Sequence, residues 1–345
     1  MTLQEVKRAR LARQFLTHPS DKRSIVRGLC GVQAQFLSNA RHALRIRCTE
    51  DLSVETWGEG LVKNWTLRGT MHVFGEEDLP LFLYGYPHAL RPQDRLEGDA
   101  HITESRKRYF AGEILRLIGE GICERGDLKQ ACFALGMTAE ENQSVFDQWG
   151  GTIRALAESG AICYRVQEKK AFMLCKPFAP LPQEEAEQEL VRRYFTHYAP
   201  ATLRDASYFL GMTQTKIRGI LKTLPVQELE SEGKRFFLLE GPETDLLEMP
   251  ECLLLAGFDP LMLGYEKQES LFLPPEYLRG IFNLSGIVFP AILLRGSVVG
   301  KWKREKRRVQ LILFEALDRH DRDQAAEAAW RLFGEDVQLH WQEYE

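Results

Sequence analysis

This chain of 345 residues has no paired metal-binding cysteines and no long apolar run. Its seven cysteines, Cys30, Cys48, Cys123, Cys132, Cys163, Cys175 and Cys252, include no Cys-x-x-Cys pair, which argues against both a zinc site and a disulfide framework. Its eight histidines show no ligand spacing and no phosphate-cradling glycine loop is present, so no metal and no cofactor are expected. The first eight residues lack the apolar core of a signal peptide. No stretch approaches the roughly 18 apolar residues of a membrane span. A reduced, cytoplasmic protein with no membrane partner is the expectation. What the chain does have is apolar content, 44% of its residues, enough for the cores of two or three domains.

The formal net charge of −4 argues against a nucleic-acid partner until its distribution is followed. Residues 1–48 hold ten Lys and Arg (Lys7, Arg8, Arg10, Arg13, Lys22, Arg23, Arg27, Arg41, Arg45, Arg47) against Glu5 and Asp21, a local excess of eight positive charges. A second cluster, residues 301–308, sets six bases against Glu305. Acids collect elsewhere, at 184–189 and between 228 and 251. Segregation of this kind gives a protein a positive face suited to polyanions.

One internal repeat is visible. Phe133-Ala134-Leu135-Gly136-Met137-Thr138 returns 75 residues later as Tyr208-Phe209-Leu210-Gly211-Met212-Thr213. In each copy the glycine suits the left-handed end of a helix and the threonine suits the cap of the next. The first copy is flanked by helical patterns at 105–119, 127–132 and 143–158, then a hairpin of 161–165 against 171–175. The second is flanked by helices at 184–197, 202–210 and 214–224, then a hairpin of 226–230 against 234–240 through Ser231-Glu232-Gly233. Three helices and a two-stranded wing make the winged variant of helix-turn-helix. Residues 1–75 read as a third unit: a helix at 3–16 with its bases opposite its apolar face, a second helix capped by Ser20 or Asp21 and running to Cys30, a third at 54–62, and a strand at 65–74. The tail is strand-like at 253–255, 287–294, 297–302, 309–314 and 337–341, with Arg295-Gly296 as a tight turn and one helix at 321–333.

Gln33-Ala34-Gln35, in the run Gly31-Val32-Gln33-Ala34-Gln35-Phe36, is the candidate catalytic pair. A glutamine amide offers an acceptor oxygen and two donor hydrogens and does not titrate, so a pair can orient a water or a developing charge without acting as a strong base. Such a site suits a substrate that is already activated. In an extended segment the two amides share a face. Ile25, Leu29, Val32 and Phe36 also fit one helical face, which would splay them by roughly 200°. Gly31 favours a helix that stops there.

This pair, Trp65-Thr66-Leu67-Arg68-Gly69-Thr70-Met71-His72, and Leu254-Leu255-Ala256-Gly257-Phe258-Asp259-Pro260-Leu261-Met262-Leu263-Gly264 together resemble the winged-helix DNA glycosylases of the AlkZ and YcaQ type. The likeness spans nearly the whole chain and includes 197–212 and Val299-Gly300-Lys301-Trp302-Lys303. In that family a Gln-x-Gln motif, or Gln-x-Asp in the YcaQ branch, lies at the active centre, so Gln33 and Gln35 place this chain nearer the AlkZ branch. The resemblance implies an α+β architecture of three tandem winged-helix units (1–100, 101–180, 181–248) followed by a small C-terminal β-barrel-like module (249–345). It also implies double-stranded DNA as partner and excision of bulky N7-alkylated purines, crosslinks included, by a monomer acting beside the bacterial nucleoid.

The chemistry agrees with that implication. Alkylation at N7 makes guanine cationic, weakens its bond to the sugar and lets the base leave neutral, so no acid has to protonate it. A water must still be placed at the anomeric carbon, a task that ordinary glycoside cleavage gives to carboxylates. Thr70 and His72 are expected at the lesion. Arg68, and Arg45 and Arg47 alternating along one strand face, are expected phosphate contacts, as are Lys301, Lys303 and Arg304 around Trp302. Asp259 reads as a turn residue that docks the tail, outside the catalytic set. The third helices of the winged units are too acidic, or too poor in bases, for major-groove reading. The rival readings are a non-catalytic winged-helix transcription regulator and a protein-binding scaffold. Base release separates the first from an enzyme, and the salt dependence of DNA affinity separates the second.

Overall fold

Short polar residues set where the helices begin. The computed structural model describes residues 1–84, 101–147, 150–241 and 248–343. In it Thr2 and Glu5 form a reciprocal capping box at the start of α1 (Leu3–Arg13). Asp21 accepts from the Ser24 N–H and starts α2 (Lys22–Gly28). A short extended segment, β1 (Val32–Gln33), leads to α3 (Leu37–Arg45). The chain divides into two compact units, Met1–Leu52 with Leu190–Glu345, and Ser53–Glu189. The expected boundary at residue 100 falls at the end of 85–100, outside the described residues.

In the unit Ser53–Glu189, residues 54–60 form turns and not the expected helix, because Gly60 takes φ +72 and the chain then enters β2 (Leu61–Trp65). The expected strand at 65–74 is instead the second half of a hairpin. β2 pairs antiparallel with β3 (Met71–Gly75), Trp65 facing Met71 and Asn64 facing His72, through a turn whose tip residue Arg68 holds φ +56. β2 also meets β4 (Ile162–Tyr164), which continues antiparallel to β5 (Phe172–Leu174), so these strands run β3-β2-β4-β5. Phe110 and Ile114 of the helix Glu104–Gly119 pack with Leu128, Cys132, Val145 and Phe172 as the core.

Both copies of the repeat keep the expected punctuation. Gly136 and Gly211 take φ +86 and +70, Thr138 closes a capping box with Glu141, and Thr213 accepts from the Lys216 N–H. In the first copy the expected helix at 143–158 is two helices, Ala139–Val145 and Gly151–Glu158, with 148–149 outside the described residues. Gly151, at the start of the second helix, has φ +72, and a Cβ there would stand 2.1 Å from the Ser144 carbonyl oxygen, so the position requires glycine. The second copy runs Gln183–His197, Leu203–Leu210, Gln214–Leu221, then β6 (Gln227–Ser231) against β7 (Lys234–Leu238). Its turn residues Glu232 and Gly233 both have positive φ, matching the twist of a tight hairpin.

The C-terminal sheet is ordered β8 (Cys252–Leu254), β9 (Ala291–Leu294), β10 (Ser297–Glu305), β11 (Arg308–Leu313), β12 (Gln338–Glu343). Its pairs are antiparallel until β11–β12, which is parallel and reached by the crossover helix Arg319–Phe333. β9 starts at Ala291, after Pro290, which has no N–H for a ladder. The protein is thus mixed α+β. No helix among the described residues is long and apolar enough to cross a membrane.

Candidate active site and nucleic-acid interface

The Gln-x-Gln segment is set by the way α2 stops. Cys30 takes φ +56 and donates its N–H to Arg27, while Gly31 takes φ +81 and donates to Val26. These two reversed hydrogen bonds close the helix and turn the chain out of it. The helical alternative for the glutamines is therefore not adopted. Burial then alternates: Val32 and Ala34 are fully buried, Gln33 is half-buried and Gln35 is exposed. The apolar residues anchor the segment and the amides point away from that anchorage. Among the described residues neither amide has a hydrogen-bond partner, so both keep their donors and acceptors for something outside the fold.

Phe36 follows as the N-cap residue of α3, with its ring 5.8 Å from that of Phe258. The far end of α3 carries Arg45, exposed and held below its ordinary pKa by partial burial and by the like charges of Arg41 and Arg304. Two distant sequence clusters therefore meet as one cationic group. Arg41 is steadied by donating from Nε to the Leu52 carbonyl at 2.8 Å, and Arg304 lies 4.7 Å over the Phe333 ring. Between them His42 packs on Trp302 at 5.0 Å, each ring fixed by a main-chain oxygen, Leu254 for His42 and Leu255 for Trp302. β10 splits the tail cluster, because its alternation puts Lys301, 4.7 Å from the Phe289 ring, and exposed Lys303 on the face opposite Trp302 and Arg304.

Several expected contacts are corrected by burial. Arg45 lies on a helix, so it and Arg47 do not alternate on a strand. Arg47 is fully buried: it donates to the Gln14 and Ala43 carbonyls and grips both oxygens of Asp259 at 2.6 and 3.0 Å. It cannot reach a phosphate. Asp259, expected only as a turn residue docking the tail, pairs with Arg47 just past the end of α3, and it also caps Pro260–Leu263. Arg10 and Arg13, expected on the outer surface of α1, are buried too. Arg10 pairs with Asp205 at 3.3 Å above the Tyr265 ring, and Arg13 donates to the Thr196 and Leu239 carbonyls. Part of the N-terminal positive excess is thus consumed inside the fold.

In the other unit His72 is 2% exposed, its Nδ1 2.8 Å from the Thr66 hydroxyl. Burial, with the nearby charge of Arg68 second, pushes its pKa down to about 3, so it stays neutral and leaves the set of DNA contacts. Arg68 is exposed at the turn tip, and the Thr70 hydroxyl donates to the Leu67 carbonyl. Trp65 lies under the Arg154 guanidinium at 4.0 Å, itself paired with Glu158. Sequence reasoning missed Arg41, Phe36 and Phe258. The signal for Arg41 was its i, i+4 spacing to Arg45 on a helix that had not been recognised.

Among the described residues no group of three or more His, Cys, Asp or Glu side chains could hold a metal ion. Residues 26–334 match the family model described as DNA glycosylase AlkZ-like. A curated relative, the interstrand DNA cross-link repair glycosylase of Streptomyces sahachiroi, is 25% identical over 321 residues, 85% of each chain. The solved structure of the Streptomyces sahachiroi DNA glycosylase AlkZ shares the fold, with a TM-score of 0.76, 23% identity and 99% of both chains covered. The match across nine-tenths of the sequence, with the Gln-x-Gln segment inside it, settles the affiliation: the chain belongs to the AlkZ-like family of DNA glycosylases, enzymes that hydrolyse N-glycosyl bonds.

Proposed function

We propose that this glycosylase removes cationic, N7-alkylated purines from duplex DNA, bulky adducts and interstrand crosslinks included, with Gln33 and Gln35 holding the attacking water. The reading is carried by one observation: two amides either side of Ala34, with Val32 and Ala34 buried, have no hydrogen-bond partner among the described residues. The bond pair between C1′ and N9 passes to the purine and cancels its charge as the base departs. Water adds at C1′ and its proton goes to solvent. The amide oxygens accept hydrogen bonds from that water and set partial negative charge beside the oxocarbenium-like sugar. Neither residue can give a proton to the departing base, which confines the enzyme to bases that leave without help. The crosslink activity named for the Streptomyces sahachiroi relative suits the same chemistry.

We read the scaffold as three tandem winged-helix units and a barrel-like module that present this strand to DNA, with the protein working as a monomer. The repeated helix ends at Gly136 and Gly211 support that reading. Arg45 and Arg304, with Arg41, are assigned to the phosphates because three guanidinium groups from two elements are gathered there, Arg45 and Arg304 being exposed. Arg68, Lys301 and Lys303 are further exposed or half-exposed candidates, and Thr70 is kept at the lesion.

The test is base release from duplex carrying N7-methylguanine. Gln33→Ala and Gln35→Ala should each lower the single-turnover rate by about 100-fold, with affinity for the damaged duplex held within twofold. Full excision by the double variant would overturn the assignment.

A further inference from the structure

Three departures from ordinary local preference meet beside Gln35. Phe36 occupies the N-cap of α3, where Ser, Thr, Asp or Asn would accept an orphan N–H, and it makes no side-chain cap. Its ring is 48% exposed, although aromatic side chains gain most from burial. It rests on Phe258 with 31° between ring planes, and Phe258 itself holds φ +57, an uncomfortable backbone for a bulky residue. Stability accounts for none of these choices, and local rules broken together mark a place of contact with something else.

The neighbours say what that is. The purine to be removed is bonded directly to the carbon that the Gln33–Gln35 water attacks, and Phe36, the next residue, leaves the inward–outward alternation at the start of α3 and is exposed beside exposed Gln35. Bases stack on aromatic side chains without any hydrogen-bond readout. The face of a phenyl ring is also electron-rich and attracts a cation. We infer that the open face of Phe36, backed by Phe258, stacks on the alkylated purine and favours it over the neutral bases around it. This rests on the glycosylase reading of Gln33 and Gln35. Because the purine loses its charge as it leaves, the contact is stronger before the transition state than in it. Phe36 therefore acts on capture of the lesion more than on the speed of bond breaking.

Phe36→Ser is the informative variant, since serine restores the missing cap. It should melt no lower than wild type, lose about tenfold in kcat/KM on N7-methylguanine duplex, and keep its saturating single-turnover rate within threefold. Phe36→Trp should retain wild-type kcat/KM. The stacking role is overturned if wild type releases the base and Phe36→Ser does so with unchanged kcat/KM. It is also overturned if Phe36→Trp loses as much as Phe36→Ser, or if Phe36→Ser melts lower, the mark of a merely structural ring. Wild type that releases no base sinks the glycosylase reading of the glutamines, and this inference with it.

Discussion

Arg47 and Asp259 are both fully buried and hold each other through two hydrogen bonds, with two further guanidinium protons on main-chain oxygens. Removing one partner strands the other charge without water. Asp259→Asn or Arg47→Met should each destabilise the unit Met1–Leu52 with Leu190–Glu345 by about 3–5 kcal/mol, and the double change should cost less than the sum of the two. Denaturant melts of the four proteins measure it. DNA affinity of any variant that still folds should be unchanged, because neither residue reaches the surface. The sequence could offer only a hint here. Arg45 and Arg47 flank Ile46 with a period of two, which mimics a strand. The true signal is the i, i+3, i+4 set of buried Ala40, Ala43 and Leu44. That Arg47 turns inward depends on a partner 212 residues away, which no local pattern announces.

At the scale of the element, α3 and β10 cooperate. The helix brings Arg41 and Arg45 one turn apart and the strand brings Arg304 to them, Arg304 held over the Phe333 ring and Arg41 by the Leu52 carbonyl. Replacing Arg45 or Arg304 by glutamine should weaken binding to undamaged duplex and lower the slope of log affinity against log salt by about one each. A titration between 50 and 200 mM salt, at constant temperature, reads that slope. Lys303→Gln, on the opposite face of β10, is the comparison that shows whether both faces meet the backbone. Element ends were legible from residue chemistry, as Thr138 and Thr213 with Gly136 and Gly211 demonstrate. The split of one expected helix before Gly151 was not, since the apolar pattern runs on through a glycine whose φ of +72 only the folded chain reveals.

Across the whole molecule, histidines largely withdrawn from water, His72 in one unit and His197 with His42 in the other, give each unit its own response to acid. His72 belongs to Ser53–Glu189, and His197, in the other unit, is pushed down to about 4 by burial despite its hydrogen bond to the Arg13 carbonyl. Each stays neutral when folded and regains its ordinary value near 6.5 when unfolded, so the unfolded chain binds the extra proton. Stability therefore falls as pH drops below 6.5, by at most about 1.4 kcal/mol per pH unit for each histidine, until the folded values are reached. Urea unfolding between pH 5 and 7 should show this, and His72→Asn should flatten the slope for Ser53–Glu189 alone.

The partition of the backbone also bears on how the enzyme is made. Its first fifty residues share a unit with everything after Leu190, while 53–189 make a unit of their own. A ribosome delivers the intervening module long before the C-terminal partners of α1 and α3 emerge, and domains fold largely as they appear. Arg10 of α1 and Arg47 just past α3 are received by Asp205 and Asp259, so neither buried charge is neutralised until those acids have been synthesised.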